Sequence, residues 1–109
     1  MTLHQDLAAG RWSKSSLMEQ LANVGSEVGR ATSAKAAGNE PRMDAALDRA
    51  LELFDLTLAD ERWRERLREI AKAREVVCDY VAGGNTFGSS RESLDAWFLP
   101  FAMAARRDR

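Results

Sequence analysis

Apolar side chains recur every three to four residues along most of the chain, which is the period of an α-helix buried on one side. Four long segments with this pattern follow one another from residue 16 onward, and a shorter one covers residues 3–9. No segment alternates apolar and polar residues as a half-buried strand does. The pattern therefore predicts an all-α fold, an antiparallel four-helix bundle with a short N-terminal helical extension, in a single domain spanning residues 1–109.

Capping residues indicate where the first two long helices begin and end. Ser16, with Glu19 three residues later, matches a capping box, and Gly38 supplies a left-handed stop. Asn39 is predicted to cap the second helix, with Pro41 in its first turn, where the missing N–H does no harm. This second helix has the widest apolar stripe, so we expect it to be the most buried of the four.

Two further caps are predicted in the second half of the chain. Asp60 is placed to cap a third helix that ends at the two glycines of residues 83–84. Ser89, with Glu92 three residues later, matches a second capping box before the last helix. The connection between the second and third helices is very short, which predicts an antiparallel hairpin.

The hairpin also predicts a register for one charged pair. If the chain turns at Asp60, residues equally distant from the turn face each other. Arg74 is then expected to meet Asp48 or Glu52 rather than Asp55. Such a pair is either buried, where it contributes to specificity, or exposed and worth less than about 1 kcal/mol.

The last helix contains Pro100, which removes a backbone donor and clashes with the preceding turn, so we expect a kink there. Large apolar residues surround it: Trp97, Phe98, Leu99 and Phe101. They are too nearly consecutive to share one face of a straight helix. Two interpretations stay open: the bent helix buries them all against the bundle, or some form a patch that another subunit or partner covers.

Two glycines lie four residues apart in the first long helix, Gly25 and Gly29. Each destabilises a helix interior by about 1 kcal/mol relative to alanine, which indicates a reason for their presence. They either permit a tight crossing within the bundle or let the backbone of a second chain approach closely. Together with the segment around Pro100, they favour a homo-oligomer.

Composition narrows the classes of partner. The chain has 16 Lys and Arg against 17 Asp and Glu, a formal net charge of -1, so no overall field draws it to nucleic acid or an anionic membrane. No apolar run reaches the roughly 20 residues of a membrane helix, and no signal-peptide pattern is present at the start. We therefore expect no membrane partner and a cytoplasmic location.

Residues suited to catalysis or metal binding are sparse. The single histidine, His4, cannot supply the paired ligands of a di-iron or zinc site, and the single cysteine, Cys78, has no histidine base and is expected to be a buried structural thiol. The candidate acids for a small enzyme are Asp48, Glu52, Asp55, Glu75 and Asp79. Charged runs on helices are usually solvated, so we predict a protein without cofactor or enzymatic activity.

A local basic surface is the main alternative to protein binding. Its candidate residues are Arg64, Arg68 and Lys72, a four-residue ladder, with Arg106 and Arg107 in the tail. Converging basic side chains can follow a phosphate backbone. Glutamates interleave with the ladder, which instead indicates a self-neutralised surface. Nucleic-acid binding therefore stays open but is not the favoured prediction.

The segment ALDRALELFDLTLAD runs directly into ERWRERLREIAKAREVV. This helix-loop texture resembles the small bacterial four-helix-bundle proteins encoded in ribosomal RNA intervening sequences, and the related accessory variability proteins of diversity-generating retroelements. The resemblance implies a non-enzymatic oligomer and, for the accessory proteins, binding to a reverse transcriptase and nucleic acid. We predict a helical-bundle accessory protein that self-associates and binds a protein partner. The alternative is a nucleic-acid-binding accessory protein, for example of a reverse transcriptase.

Overall fold

A computed structural model describes residues 12–107 of the chain. The α-helices are α1 (Trp12–Lys14), α2 (Leu17–Ala36), α3 (Glu40–Leu58), α4 (Leu67–Val81) and α5 (Arg91–Arg107), with a 3₁₀ helix (Glu61–Arg66) before α4. No strand occurs within these residues, which confirms the all-α prediction, and the four long helices pack together. The predicted N-terminal extension, residues 3–9, and His4 lie outside the described part of the chain.

Helix α2 is the centre of the packing. It contacts α3 and α5 along much of its length and α4 more lightly, and Leu21, Val24 and Val28 on its apolar face are almost fully buried. The expectation that α3 is the most buried helix is wrong, since α2 buries eight residues and α3 six. Of the two residues that widen the apolar stripe of α3, Leu53 is buried but Leu56 is only partly buried. The number of neighbouring helices, rather than stripe width, sets how much of a helix is buried.

The predicted start of α2 and the predicted boundary between α2 and α3 are both confirmed. The backbone N–H of Glu19 donates to Ser16 Oγ at 3.1 Å, and the backbone N–H of Ser16 donates to Glu19 Oε1 at 2.9 Å, which completes the capping box. Gly38 adopts a φ of +71°, in the left-handed region that favours glycine. Asn39 Oδ1 then accepts from the backbone N–H of Arg42 at 3.2 Å and caps α3.

The junction between α3 and α4 departs from the prediction of one continuous helix after Asp60. Asp60 does act as a cap, because its carboxylate accepts from the backbone N–H of Arg62 at 3.1 Å. The residues that follow form a 3₁₀ helix, and Trp63 has non-helical backbone angles (φ -106°, ψ 16°). The α-helix itself begins only at Leu67.

This 3₁₀ segment changes the register of the hairpin. Arg74 Nε donates to Asp55 Oδ1 at 2.9 Å, so the expected pairing of Arg74 with Asp48 or Glu52 is wrong. The extra segment moves the midpoint of the hairpin beyond Asp60, which brings the later part of α3 opposite Arg74. The Asp55 side chain is 60% exposed, which makes this a surface pair of small energetic weight.

The start of α5 is capped one residue later than predicted. The backbone N–H of Ser93 donates to Ser90 Oγ at 3.0 Å, and that of Ser90 donates to Ser93 Oγ at 2.9 Å. The predicted box of Ser89 and Glu92 is therefore wrong. Ser89 belongs to the preceding turn, where its N–H donates to the side chain of Asn85, a residue with a φ of +53°.

One buried polar side chain joins three parts of the bundle. Gln20 is fully buried, and its Nε2 donates to the carbonyl of Trp12 at 2.9 Å and to Asp60 Oδ2 at 3.1 Å. Its Oε1 accepts from Trp63 Nε1 at 3.0 Å. Hydrogen bonds from the Arg62 side chain lower the pKa of Asp60 to about 2, so the carboxylate stays charged in this network.

Candidate contact surface on the last helix

Helix α5 packs closely against α2 through Phe98. The Phe98 side chain is only 6% exposed, and its ring centroid lies 6.3 Å from that of Phe54 in α3. A Cβ atom added to Gly25 would lie 3.0 Å from the Cβ of Phe98. This contact is tight, so the absence of a side chain at Gly25 favours the crossing inside the bundle. Of the two interpretations left open for Gly25, the geometry favours the intramolecular one.

On its other side α5 stands apart from α4. The backbones of α4 and α5 approach each other less closely than those of α2 and α5, and a groove of about 320 Å³ lies between them. Its walls are mainly apolar: Ala73, Val76 and Val77 from α4, with Leu94, Trp97 and Phe98 from α5. Trp97 is half-buried, and its ring centroid lies 4.8 Å from that of Phe98, in an edge-on arrangement, and 5.0 Å from that of Phe101, in a tilted one.

The outer side of α5 is also apolar. Leu99 is 53% exposed and Met103 is 52% exposed, and Ala96 and Pro100 beside them are exposed as well. The α-helix continues from Arg91 to Arg107 with Pro100 inside it. The four predicted contact residues thus separate: Phe98 lies in the core, Trp97 and Phe101 are half-buried, and Leu99 is exposed. We call the exposed and half-buried apolar surface of residues 96–103 the α5 face.

Gly29 lies in a different environment from Gly25. Nothing is found within 4 Å of the place where its Cβ would be, so no neighbouring atom requires a glycine there. It lines a cleft between α2 and α3 rather than the α5 face. The structure therefore does not join the two glycines into one contact surface.

The predicted basic ladder is divided between two elements. Arg64 lies in the 3₁₀ helix, whereas Arg68 and Lys72 lie on α4, and all three are exposed. Lys72 Nζ is 3.9 Å from a carboxylate oxygen of Glu75 and 3.9 Å from the centre of the Phe87 ring. Within residues 12–107, neither Arg64 nor Arg68 forms a salt bridge. The tail residues Arg106 and Arg107 are exposed at the end of α5.

The candidate nucleophile Cys78 and the candidate acid Asp79 are neighbours in the last turns of α4. Cys78 is half-buried rather than fully buried, and burial raises the pKa of its thiol. The Asp79 carboxylate accepts from the backbone N–H groups of Thr86 at 2.8 Å and Phe87 at 3.0 Å. These hydrogen bonds lower the pKa of Asp79, and the one from Phe87 has the largest effect. The part of the chain that the structure describes holds no group of three or more metal-ligating side chains.

A second concave surface escaped the sequence reasoning. The cleft between α2 and α3 has a volume of about 1060 Å³ and is lined by arginines from three helices: Arg30, Arg42, Arg49 and Arg91. These residues are far apart in the chain and form no basic run. Only the folding of α2, α3 and α5 onto one another brings them together, so no local signal could have indicated the cleft.

Neither a membrane-spanning helix in the described part of the chain nor a known relative helps to interpret these surfaces. Among residues 12–107, no helix combines the length and apolar character needed to cross a membrane. No family model, curated protein or solved structure matches the chain.

Proposed function

We propose that this chain is a non-enzymatic helical module that self-associates and binds a protein partner through the α5 face. The carrying observation is that α5 is apolar on two sides while the bundle covers only one of them, the side of Phe98. Leu99 and Met103 stay about half exposed on the other side. A helix that is apolar around most of its circumference is normally buried, so the uncovered side favours a second chain as its neighbour.

The energetics support self-association. Complete burial of a leucine or methionine side chain contributes about 1.5–3 kcal/mol, and a half-exposed one retains about half of that for a further contact. In a twofold contact the same patch is used by both subunits, so each residue contributes twice. The groove beside Trp97 continues this apolar surface and can receive side chains from the neighbouring subunit.

Within this proposal the four long helices alternate in direction, and Pro100 bends the end of α5. Gln20, near the start of α2, reaches Asp60 just after α3, which supports opposite directions for these two helices. Arg91 at the start of α5 donates to Ser33 Oγ near the end of α2 at 2.7 Å, which supports the same relation between α2 and α5. A bend at Pro100 would turn the outer side chains further away from α2.

The mass of the chain in solution tests self-association directly. Size-exclusion chromatography with light scattering over a range of protein concentrations is expected to show a defined oligomer. The double variant Leu99→Glu with Met103→Glu is expected to be monomeric, because it buries two charges in the proposed contact. Ala71→Glu adds a charge at an exposed position of α4 outside the groove and is expected to leave the oligomer intact.

A wild-type monomer at every concentration would overturn self-association. An oligomer that both sets of substitutions leave unchanged would remove the α5 face from it. Binding of a protein partner is expected to compete with self-association if both use the α5 face, so the Leu99→Glu and Met103→Glu variant should lose both.

A specific observation keeps nucleic-acid binding as a second candidate function. Arg64 and Arg68 are exposed and form no salt bridge within the described residues, and Arg106 and Arg107 add further positive charge. The resemblance to retroelement accessory proteins points the same way. This function predicts RNA or DNA affinity that falls steeply with salt and is weakened by Arg64→Glu with Arg68→Glu. Affinity that this double variant leaves unchanged would exclude these residues as carriers.

A further inference from the structure

We infer that the cleft between α2 and α3, with Arg91 of α5 at its edge, binds a ligand that carries closely spaced phosphate groups. This inference concerns a surface separate from the α5 face and does not depend on self-association. We call it the arginine cleft; it is lined by Arg30, Arg42, Arg49 and Arg91 together with small and polar residues of α2 and α3.

The charge of the arginine cleft is the first support. None of the described residues that line it is acidic, although the chain as a whole has a formal net charge of -1. One carboxylate beside the cleft, that of Glu27, pairs with both Arg30 and Arg49. Four guanidinium groups therefore face one partly buried carboxylate, which leaves a local excess of positive charge in a concave surface. Such a surface concentrates anions from solution.

The positions of two arginines are a second and independent support. Arg42 lies in the first turn of α3, three residues after the cap Asn39, and Arg91 is the first residue of α5. The N-terminus of a helix carries a partial positive charge, so a cation there is disfavoured by about 0.3–1 kcal/mol. Both arginines thus lie where an acidic residue would stabilise the helix more. Glu40 and Glu92 in the same first turns already offset part of the positive charge of the helix ends, so a bound anion would chiefly compensate the two guanidinium charges.

The chemistry of the side chains indicates phosphate. Guanidinium groups present planar pairs of donors that match two oxygens of a phosphate. Arg49 is held by Glu27 at 2.7 Å and Arg91 by Ser33 Oγ at 2.7 Å, which orients both before a ligand arrives. Each guanidinium has five N–H donors, so these bonds leave donors free for a ligand.

The floor of the arginine cleft is made of small side chains. Gly29 has open space where its Cβ would be, and Ala45 and Ala46 lie on the α3 side. The described lining residues include no aromatic side chain on which a nucleobase could stack. The surface is therefore suited to phosphate groups rather than to bases. Free polyphosphate and the backbone of a nucleic acid are two sources of the same chemistry.

Isothermal titration calorimetry of the full chain with inorganic tripolyphosphate at low salt tests the inference. The wild type is expected to bind, with an affinity that decreases as salt is added. Arg42→Glu with Arg91→Glu is expected to weaken binding by about tenfold or more, because it reverses two charges in the cleft. These variants place glutamate in the first turn of a helix, where it suits the helix dipole, so the fold should be retained. Circular dichroism checks this.

Lys14→Glu with Arg66→Glu is the matched control, since it makes the same change of charge outside the arginine cleft, at residues not proposed for nucleic-acid binding. It is expected to leave tripolyphosphate affinity within about twofold of wild type, the remainder being long-range electrostatics screened by salt. Equal losses in both double variants, or no binding of tripolyphosphate by the wild type, would overturn the inference. Equally tight binding of polyglutamate would do the same, because it would show a response to negative charge rather than to phosphate.

Competition identifies the source of the phosphates. If a duplex RNA or DNA displaces tripolyphosphate and its binding is lost in Arg42→Glu with Arg91→Glu, the ligand is a nucleic-acid backbone. If neither duplex competes, the ligand is a free polyphosphate. Both results support a phosphate site in the arginine cleft.

Discussion

Helix α5 contacts its two neighbours in opposite ways. Against α2, Gly25 lets the Phe98 side chain approach so closely that an added methyl group would lie only 3.0 Å from it. Against α4, the half-buried Trp97 borders a groove of about 320 Å³. The same helix therefore completes the core on one side and presents an apolar surface on the other. Proximity in the chain does not decide which neighbour packs tightly, because α4 directly precedes α5.

The loop between α4 and α5 lies against α4, beside the groove. Asp79 near the end of α4 holds the loop by accepting from the backbone N–H groups of Thr86 and Phe87. Phe87 in turn lies over Lys72 of α4, with the ammonium 3.9 Å from the ring centre. The loop thus folds back on α4 before α5 begins. Phe87 of the loop thus packs on Lys72, one of the residues that line the groove.

The largest expected effect is on the closed side of α5. Phe98→Ala should lower the free energy of unfolding by about 3–5 kcal/mol, because it removes a buried aromatic ring and leaves a cavity. Trp97→Ala, on the open side, should lower it by less than half as much. Urea denaturation measures both. Equal decreases in the free energy of unfolding would show that the groove is closed in solution and that α5 packs equally well against α2 and α4.

Gly25→Ala is expected to have the next largest effect. The new methyl group would lie 3.0 Å from Phe98, which is fixed between α2 and Phe54. The strain should exceed the gain in helix propensity and lower the free energy of unfolding by about 1–2 kcal/mol. Phe98→Ala removes the ring atoms that lie 3.0 Å from the new methyl group but keeps the Cβ at the same distance, so in the double variant the two losses should add only in part.

Gly29→Ala is the matched substitution on the same helix and should have the opposite sign. Nothing lies within 4 Å of the new methyl group, so only the gain in helix propensity remains. The free energy of unfolding is expected to rise by about 0.5–1 kcal/mol, which thermal and urea denaturation can measure. A decrease in the free energy of unfolding would show that Gly29 makes a contact with an atom outside residues 12–107.

The smallest expected effect concerns the loop between α4 and α5. Backbone N–H groups lower the pKa of Asp79, so its contribution to stability is present above its unfolded pKa of about 4 and is lost as the pH falls through the folded pKa. Asp79→Asn should therefore reduce the loss of stability on acidification below about pH 4. Asp95→Asn, an exposed position of α5, is the control. If the stability of the wild type and of Asp79→Asn depended on pH in the same way, the hydrogen bonds to Asp79 would not contribute to stability.

Elements and caps were the most predictable features. Ser16 with Glu19, Gly38, and Asn39 were identified correctly because capping depends on residues within one turn of each other. Ser90 was missed in favour of its neighbour because Asn85 binds Ser89 from within the loop. Where two adjacent serines both suit a cap, the loop geometry makes the choice.

The candidate surfaces were less predictable. The apolar residues around Pro100 were found from their spacing, but their separation into buried Phe98, half-buried Trp97 and exposed Leu99 required knowledge of where α2 lies. Gln20 shows the same limit. Its place on the apolar face of α2 has no explanation in its own helix, since its partners Trp12, Asp60 and Trp63 come from other parts of the chain.

The amino-acid sequence by itself determined that this protein is helical and where most of its long helices begin and end, because periodicity and caps act over a few residues. The tertiary structure alone decided which helix is central, that Arg74 pairs with Asp55, that one glycine serves a crossing and the other a cleft, and that four distant arginines share one surface. The reason is that these features depend on distances between helices, and short changes such as the 3₁₀ turn before α4 alter those distances without altering the helical pattern.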